Sequence, residues 1–245
     1  MICELNVKMS GIEKGNYPTH IAIILDGNRR YAKRLNLDPK KGHEFGFKKL
    51  RPLFDWCKEL DIHELTLYCF SIENFNRSKD EVDYLMSEFV KKFDELNGDK
   101  TLEEDDVKIN VVGRIHLFPK EVQKRLHEII EKTKNHKTFI INFAMAYGGR
   151  SEVVDATKKI AQQVKEGTLK IENIDDEVIA KNLYFSSQPD LIIRPGGEIR
   201  TSNFLIYQGA YAEWFFLQKT WPEFEKQDLI NIIEEFRTRE RRFGA

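Results

Sequence analysis

Four polar segments, each directly behind an apolar run, hold the side chains that can do chemistry in this sequence. The first is Asp26-Gly27-Asn28-Arg29-Arg30. Gly27 frees the chain to turn. The helix that follows starts with outward N–H groups, which together with Arg29 and Arg30 make a cradle for a diphosphate. Asp26 can hold a divalent cation beside those phosphates. Taken alone, the segment reads better as a plain turn with a capping Asn, and it is neither a Walker loop nor a dinucleotide fingerprint. The second segment is Ser71-Ile72-Glu73-Asn74-Phe75-Asn76-Arg77, a polar cluster ending in a base, or simply a loop leading into a helix. The third, Tyr147-Gly148-Gly149-Arg150, is either a tight turn or a close approach of backbone to a ligand. The fourth runs from Arg194 through Pro195, Gly196, Gly197, Glu198, Ile199, Arg200 and Thr201 to Ser202 and Asn203. Two arginines, two glycines and a serine behind a buried strand favour a second anion site.

Two further residues stand out. His43 opens a helix after Lys40-Lys41-Gly42, where its ring can reach an anion; His20, His63, His116, His127 and His136 look ordinary. Glu213 heads the apolar run Trp214–Leu217, as a metal ligand or as a structural acceptor. Two anion sites and two acids, with no nucleophile paired to a base, point to chemistry on two diphosphates.

The elements that must position these groups alternate. Apolar runs predict strands at His20–Leu25, Leu65–Phe70, Val107–Val112, Thr138–Ala146, Asp190–Arg194 and Trp214–Leu217. Helical spacing covers Gly42–Leu60, Asp80–Leu96, Pro119–His136, Arg150–Lys165, Asp175–Leu183 and Glu225–Arg242. Asn97–Asp106 reads as a polar surface loop. Alternation with apolar strands predicts an α/β fold: one domain with a mainly parallel central sheet flanked by helices. Ligands then belong at the carboxyl ends of the strands, where the four segments lie.

Composition narrows the partners. With 245 residues, 39 basic and 40 acidic, the net charge is −1, so nothing pulls the whole chain toward nucleic acid and anion binding must be local. Cys3, Cys57 and Cys69 fit no metal spacing; Cys57 and Cys69 sit in apolar contexts and read as buried thiols, which suits a reducing cytoplasm. The longest apolar runs, such as Ile21–Leu25, are five residues, too short for a membrane span, and there is no signal-peptide core, so a soluble protein is expected.

The blocks HIAIILDGNRRYAK, GHEFG, LTLYCFSIENFNRS, INFAMAYGGRSE, PDLIIRPGGEIRTSNFLIYQGAYAEWFF, WPEF and RERRFG, in this order, resemble the cis-prenyltransferases, the family of undecaprenyl diphosphate synthase. The likeness spans roughly residues 18–244, which implies an extension at 1–17 and one catalytic domain at 18–245. The trans-acting enzymes differ, being all-helical with a DDxxD motif that this chain lacks. The resemblance implies a Mg²⁺-dependent enzyme that condenses isopentenyl diphosphate with an allylic primer of farnesyl or geranylgeranyl type, leaving cis double bonds. It implies an apolar tunnel for the product, with Phe89 and Phe93 as wall or as ordinary core. By the same resemblance, Asp26 is essential and binds metal with Glu213. Gly27, Asn28, Arg29, Arg30, His43 and Arg77 take the allylic diphosphate. Ser71, Glu73 and Asn74 line the reacting centre. Arg194, Arg200 and Ser202 take isopentenyl diphosphate. Arg242-Phe243-Gly244 reaches a neighbouring subunit's site, which implies a homodimer.

The chain also departs from the bacterial pattern. Asp38-Pro39-Lys40-Lys41 stands where an arginine is common, Pro195 where threonine is, and Tyr31 and Phe75 where tryptophan is. Such changes fit another primer, a shorter product or an unusual acceptor. The D-G-N-R-R form and the richness in Lys, Ile and Glu suggest an archaeal type. A partner subunit of a heteromeric enzyme, a different phosphate-binding α/β enzyme and a basic binding module are the rivals. Transient contact with a membrane surface for product release, from a cytoplasmic or peripheral location, completes the expectation.

Overall fold

The structure, a computed structural model, describes residues 17–239. Strand β1 (His20–Ile24) leads into helices α1 (Asn28–Arg34), α2 (Pro39–Lys48) and α3 (Leu50–Glu59). Strand β2 (Glu64–Ser71) runs through a 3₁₀ turn at Ile72–Asn76 into α4 (Lys79–Gly98) and the short α5 (Thr101–Glu104). Then come β3 (Val107–Val112), α6 (Lys120–Thr133), β4 (Phe139–Tyr147), α7 (Gly149–Lys165) and α8 (Asp176–Asn182). Strands β5 (Leu191–Pro195) and β6 (Glu213–Leu217) precede α9 (Lys226–Thr238).

All pairings are parallel, in the order β3-β4-β2-β1-β5-β6. Strands β1 and β5 lie inside the sheet and are buried along their whole length, which is why they read as unbroken apolar runs. The side-chain period of two splits each strand between faces. Ile21, Ile23, Leu65, Leu67, Ile141 and Phe143 meet the apolar stripes of α3, α4, α6 and α9. Ala22, Ile24, Tyr68 and Ala144 meet Phe204, Leu205 and Tyr184 on the other face. Tyr68 stacks on Phe204 with ring centroids 4.6 Å apart.

The site is positioned by a topological fact. The chain leaves β1 for β2 on one side, and leaves β5 for β6 on the other. The carboxyl ends of β1 and β5 therefore flank a crevice. The α/β fold is the one expected, with local differences. The helix expected over Gly42–Leu60 is two helices divided at Lys49. The first begins earlier, because Asp38 caps it by accepting from Lys40 N at 2.8 Å and Pro39 fits its first turn. The stretch Asn97–Asp106, expected as loop, contains α5: Asp99 accepts from Thr101 N at 2.9 Å and Leu102 is buried. Asp175 caps α8 through Val178 N at 2.9 Å. The chain is tied down from its first described residue, since Tyr17 donates to the Leu60 carbonyl at 2.7 Å. Among the described residues, no helix is long and apolar enough to cross a membrane.

Candidate active site

Gly27 leaves β1 with φ of +97°, and a Cβ there would come within 2.7 Å of Thr220. Only glycine makes this turn without strain. It aims Asp26 into the crevice. Asp26 Oδ1 accepts from Gly27 N at 2.6 Å and from Arg30 at 2.9 Å, and Oδ2 accepts from Arg194 at 2.8 Å. Burial pushes this carboxyl up, but hydrogen bonds and charge from Arg194 and Arg30 outweigh it and hold the group below the usual carboxylate range. Asp26 is ionised at neutral pH.

Arg194 comes from the end of β5, with its side chain 5% exposed. Besides Asp26 it reaches Ser202 Oγ at 2.8 Å and the carbonyl of Arg200. Its buried Nε has no acceptor among the described residues. An unpaired buried donor on a guanidinium is costly, and a phosphate oxygen is its natural complement. Arg200 pairs with Glu198 at 2.6 Å, and Arg30 reaches the same carboxylate at 3.3 Å. Ser202, Asn203 and Leu205 all have positive φ, so the loop is held in a conformation non-glycine residues avoid. Pro195 does not break the sheet edge: Gly196 and Gly197 amides continue it by donating to Lys219 and Leu217 carbonyls at 2.6 and 2.8 Å.

The second cationic group lies across the crevice. Glu81 of α4 gathers Arg77 at 3.0 Å, His43 at 3.3 Å and Arg29 at 3.6 Å. Burial and the charge of Arg77 lower the His43 pKa against the pull of Glu81, so the ring is neutral at neutral pH. Helices α1 and α2 can bring Arg29 and His43 together because Gly42 and Gly46 have no side chains; a Cβ on Gly42 would overlap the Asn28 carbonyl. The Asn28 side chain points into this same seam and donates to the Leu25 carbonyl at 3.1 Å. Ser71 and Asn74 cap each other across the 3₁₀ turn, with Asn74 Oδ1 accepting from Ser71 N at 3.1 Å. They form a turn into a helix and line the crevice as well, as does Glu73.

The third segment resolves toward packing. Gly148 and Gly149 make room for the chain's own loop at Asn203 and Ile206, and the Gly149 amide donates to the Asn203 carbonyl at 2.7 Å. Glu213 departs from the expected metal pair. It is in register with Leu191, which is level with Ile21, so it lies at the opposite end of the sheet from Asp26, two strands across and offset by roughly 16 Å along the strands at about 3.3 Å per residue. Within one chain the two acids cannot share an ion. Glu213 instead accepts from Arg239 at 2.6 Å, a structural acceptor. Among the described residues, no three acids, histidines or cysteines cluster as a metal cage. Arg242 and Gly244 lie outside the described residues. Sequence reading overlooked Glu81, a charged residue on a helix with no motif to announce it; Arg150, the last residue of the third segment, lines the crevice.

Behind this polar mouth the crevice deepens, and mouth and interior together form one cavity of about 1600 Å³. Ordinary small-molecule pockets hold roughly 300–1,000 Å³. Its walls are Phe47, Phe54, Leu85, Phe89, Phe93 and Phe143, between the sheet and helices α2, α3 and α4. Its far rim is polar again, where Arg51 pairs with Asp99 and Lys58 with Asp105. Phe89 and Phe93 are at once core and wall. The arrangement suits one kind of ligand: a diphosphate head on a long hydrocarbon.

Known proteins agree with the geometry. At 51% identity, covering 95% of this chain and 89% of its own, stands the tritrans,polycis-undecaprenyl-diphosphate synthase (geranylgeranyl-diphosphate specific) of Pyrococcus horikoshii. The Methanocaldococcus jannaschii protein of the same name is 46% identical, covering 95% of this chain and 85% of its own. Among solved structures, lavandulyl diphosphate synthase from Lavandula x intermedia, in complex with dimethylallyl diphosphate, superposes with a TM-score of 0.87 at 33% identity, covering 94% of this chain and 99% of that one. The family model for undecaprenyl diphosphate synthase matches residues 24–244, and the chain belongs to that family, the cis-prenyltransferases.

Proposed function

We propose that this enzyme extends geranylgeranyl diphosphate with isopentenyl diphosphate, in repeated cis additions, to a product of undecaprenyl length. The observation that supports this reading best is the joining of an ionised, arginine-lined mouth to an apolar bore in one continuous cavity of about 1600 Å³. A short product has no use for such a bore, and the relatives near half identity carry the geranylgeranyl name.

The chain's residues divide the work. Gly27, Asn28, Arg29, Arg30, His43 and Arg77 take the allylic diphosphate, and the hydrocarbon tail enters the bore. Arg194, Arg200 and Ser202 take the diphosphate of isopentenyl diphosphate, with Arg194 Nε supplying an unused donor. Holding both in one crevice turns an encounter of two anions into a first-order step. The C–O bond to the allylic diphosphate breaks and the diphosphate leaves, a C–C bond forms to the terminal alkene carbon (C4) of isopentenyl diphosphate, and one proton leaves C2, the methylene next to the other alkene carbon, so that the new double bond lies between C2 and C3. Among the described residues no side chain is paired as a strong base, so a phosphate oxygen of the substrate accepts the proton. Asp26 fits Mg²⁺ in the usual way for this ion, one ionised carboxylate completed by substrate phosphates. Mg²⁺ held there would offset charge on the diphosphates. The C-terminal segment, beyond the described residues, belongs to the homodimer reading, and contact with a membrane from the cytoplasm to a transient, peripheral one.

The test is incubation with Mg²⁺, labelled isopentenyl diphosphate and farnesyl or geranylgeranyl diphosphate in turn, with Asp26→Ala as control. Long cis-polyprenyl diphosphates from geranylgeranyl primer, absent with the variant, are expected. No elongation from either primer would sink the reading and turn attention to another acceptor or a missing subunit.

A further inference from the structure

The allylic half of the mouth contains a carboxylate that no step above uses. Glu81 is 12% exposed and faces three residues from three different elements: Arg29 of α1, His43 of α2 and Arg77 behind the 3₁₀ turn. All three line the cavity. The separations widen from 3.0 to 3.3 to 3.6 Å, and only Arg77 and His43 are within hydrogen-bond reach. One carboxylate offers two oxygens, while two guanidinium groups alone carry about ten N–H donors. The donors here outnumber what Glu81 can satisfy. Arg29 is 58% exposed and held by charge alone.

A cluster of like charges repels itself when no anion sits among them. An anion site that spends part of each cycle without substrate needs an anion of its own. A diphosphate carries more charge and more oxygens than Glu81, and it calls on the same two guanidinium groups and the same ring N–H. We propose that Glu81 is a built-in counterion: it keeps Arg29, His43 and Arg77 in place between substrates and surrenders them to the incoming allylic diphosphate. This rests on the reading that these three residues take that diphosphate. Glu81 is a positioning residue that acts through its three partners. Competition from its charge weakens diphosphate binding and speeds diphosphate release.

Glu81→Gln keeps the shape and removes the charge. Titration calorimetry with inorganic pyrophosphate and Mg²⁺ should show the variant binding about five- to tenfold tighter than wild type, the scale of one partly buried competing charge. The KM for geranylgeranyl diphosphate should fall with it, and kcat should fall as release slows. A folded variant that binds pyrophosphate equally or more weakly overturns the proposal, since Glu81 then merely props up the arginines. Wild type that binds no pyrophosphate overturns the reading of the site as well; wild type that binds and elongates, beside an unshifted variant, overturns the counterion alone. Should Glu81→Gln not fold, wild type crystallised with pyrophosphate decides. Arg29 and Arg77 turned onto phosphate oxygens, beyond ion-pair distance of Glu81, is the expected result. All three partners still on Glu81, with pyrophosphate elsewhere, overturns it.

Discussion

The mouth and the bore of this cavity are built on opposite rules. At the mouth the contacts are directional and pairwise: Asp26 on Arg30 and Arg194, Arg194 on Ser202, His43 on Glu81. In the bore the contacts are generic, with Phe47 edge-on to Phe89 at 6.1 Å and Phe93 edge-on to Phe143 at 5.6 Å. The ligand explains the difference. A diphosphate has fixed geometry and directional acceptors, so its site specifies residue types one by one. A hydrocarbon tail gains from burial without direction, so its site specifies size and apolarity. Substitutions at the mouth should therefore strike turnover first, and substitutions in the bore should strike stability and product length.

The largest effect should come from Asp26→Asn. It keeps the shape and one acceptor for Arg194 but loses the charge that both arginines and a metal require. Turnover should fall by at least about 10³-fold, the upper range for removing one preorganised electrostatic group, with a circular-dichroism spectrum like wild type. Turnover within tenfold of wild type would erase the distinction drawn here. Next is Arg194→Lys. An ammonium cannot span Asp26, Ser202 and the Arg200 carbonyl as the fork does. The KM for isopentenyl diphosphate should rise about ten- to a hundredfold, roughly 1.4–2.8 kcal/mol, while that for the allylic primer barely moves. Equal rises in both constants would mean that the two halves of the mouth are one site.

In the bore, Phe93→Ala removes a ring that is 6% exposed and packed against Phe143. The loss should be about 2–4 kcal/mol, toward the low end for buried aromatics because one side already borders open space. Denaturant unfolding gives that number, and thin-layer chromatography of the products should show longer chains at near-normal kcat. A stability loss with unchanged chain length would make Phe93 core and not wall.

The same contrast decides what was legible in the sequence. The mouth is written in contiguous blocks, because a parallel sheet delivers the carboxyl end of each strand to one edge. Asp26 and Arg194 are 168 residues apart yet hydrogen bonded. The α/β alternation gave their neighbourhood away. Glu81 was missed because its partners come from three elements, and nothing in the local pattern of α4 distinguishes it from a solvated helix face. Glu213 lies apart from Asp26 within one chain for a related reason. It heads its strand, and the head of a parallel strand is the far end from the site. The bore was ambiguous in principle, since Phe89 and Phe93 at helical spacing look the same as core whether or not a cavity runs past them. The division of Gly42–Leu60 at Lys49 was hidden because apolar periodicity continues through it.

Acid should separate the two regions by the smallest of these effects. Glu223 closes the back of the mouth. It accepts from Thr220 N at 2.9 Å, from Thr220 Oγ1 at 2.6 Å and from Arg34 at 2.5 Å, and Thr220 is the residue that crowds Gly27. Burial raises its pKa, but these hydrogen bonds and the Arg34 charge more than offset that and bring it down to about 2 from an ordinary 4.5. A carboxylate lowered in the folded state adds stability above its unfolded pKa and gives it up as pH falls through its folded one. With the side chain a third exposed, solvent screening reduces the contribution to about 1 kcal/mol. Urea unfolding of wild type and Glu223→Gln should therefore differ by about that much from pH 5 to pH 7, with the gap narrowing below pH 4.5 and closing near pH 2. The gap between wild type and Phe93→Ala has no such term, because no titrating group is removed, and it should hold steady over the same range. A Glu223 gap that persists at pH 2 would mean that its hydrogen-bonding shape, and not its charge, holds the turn behind Gly27.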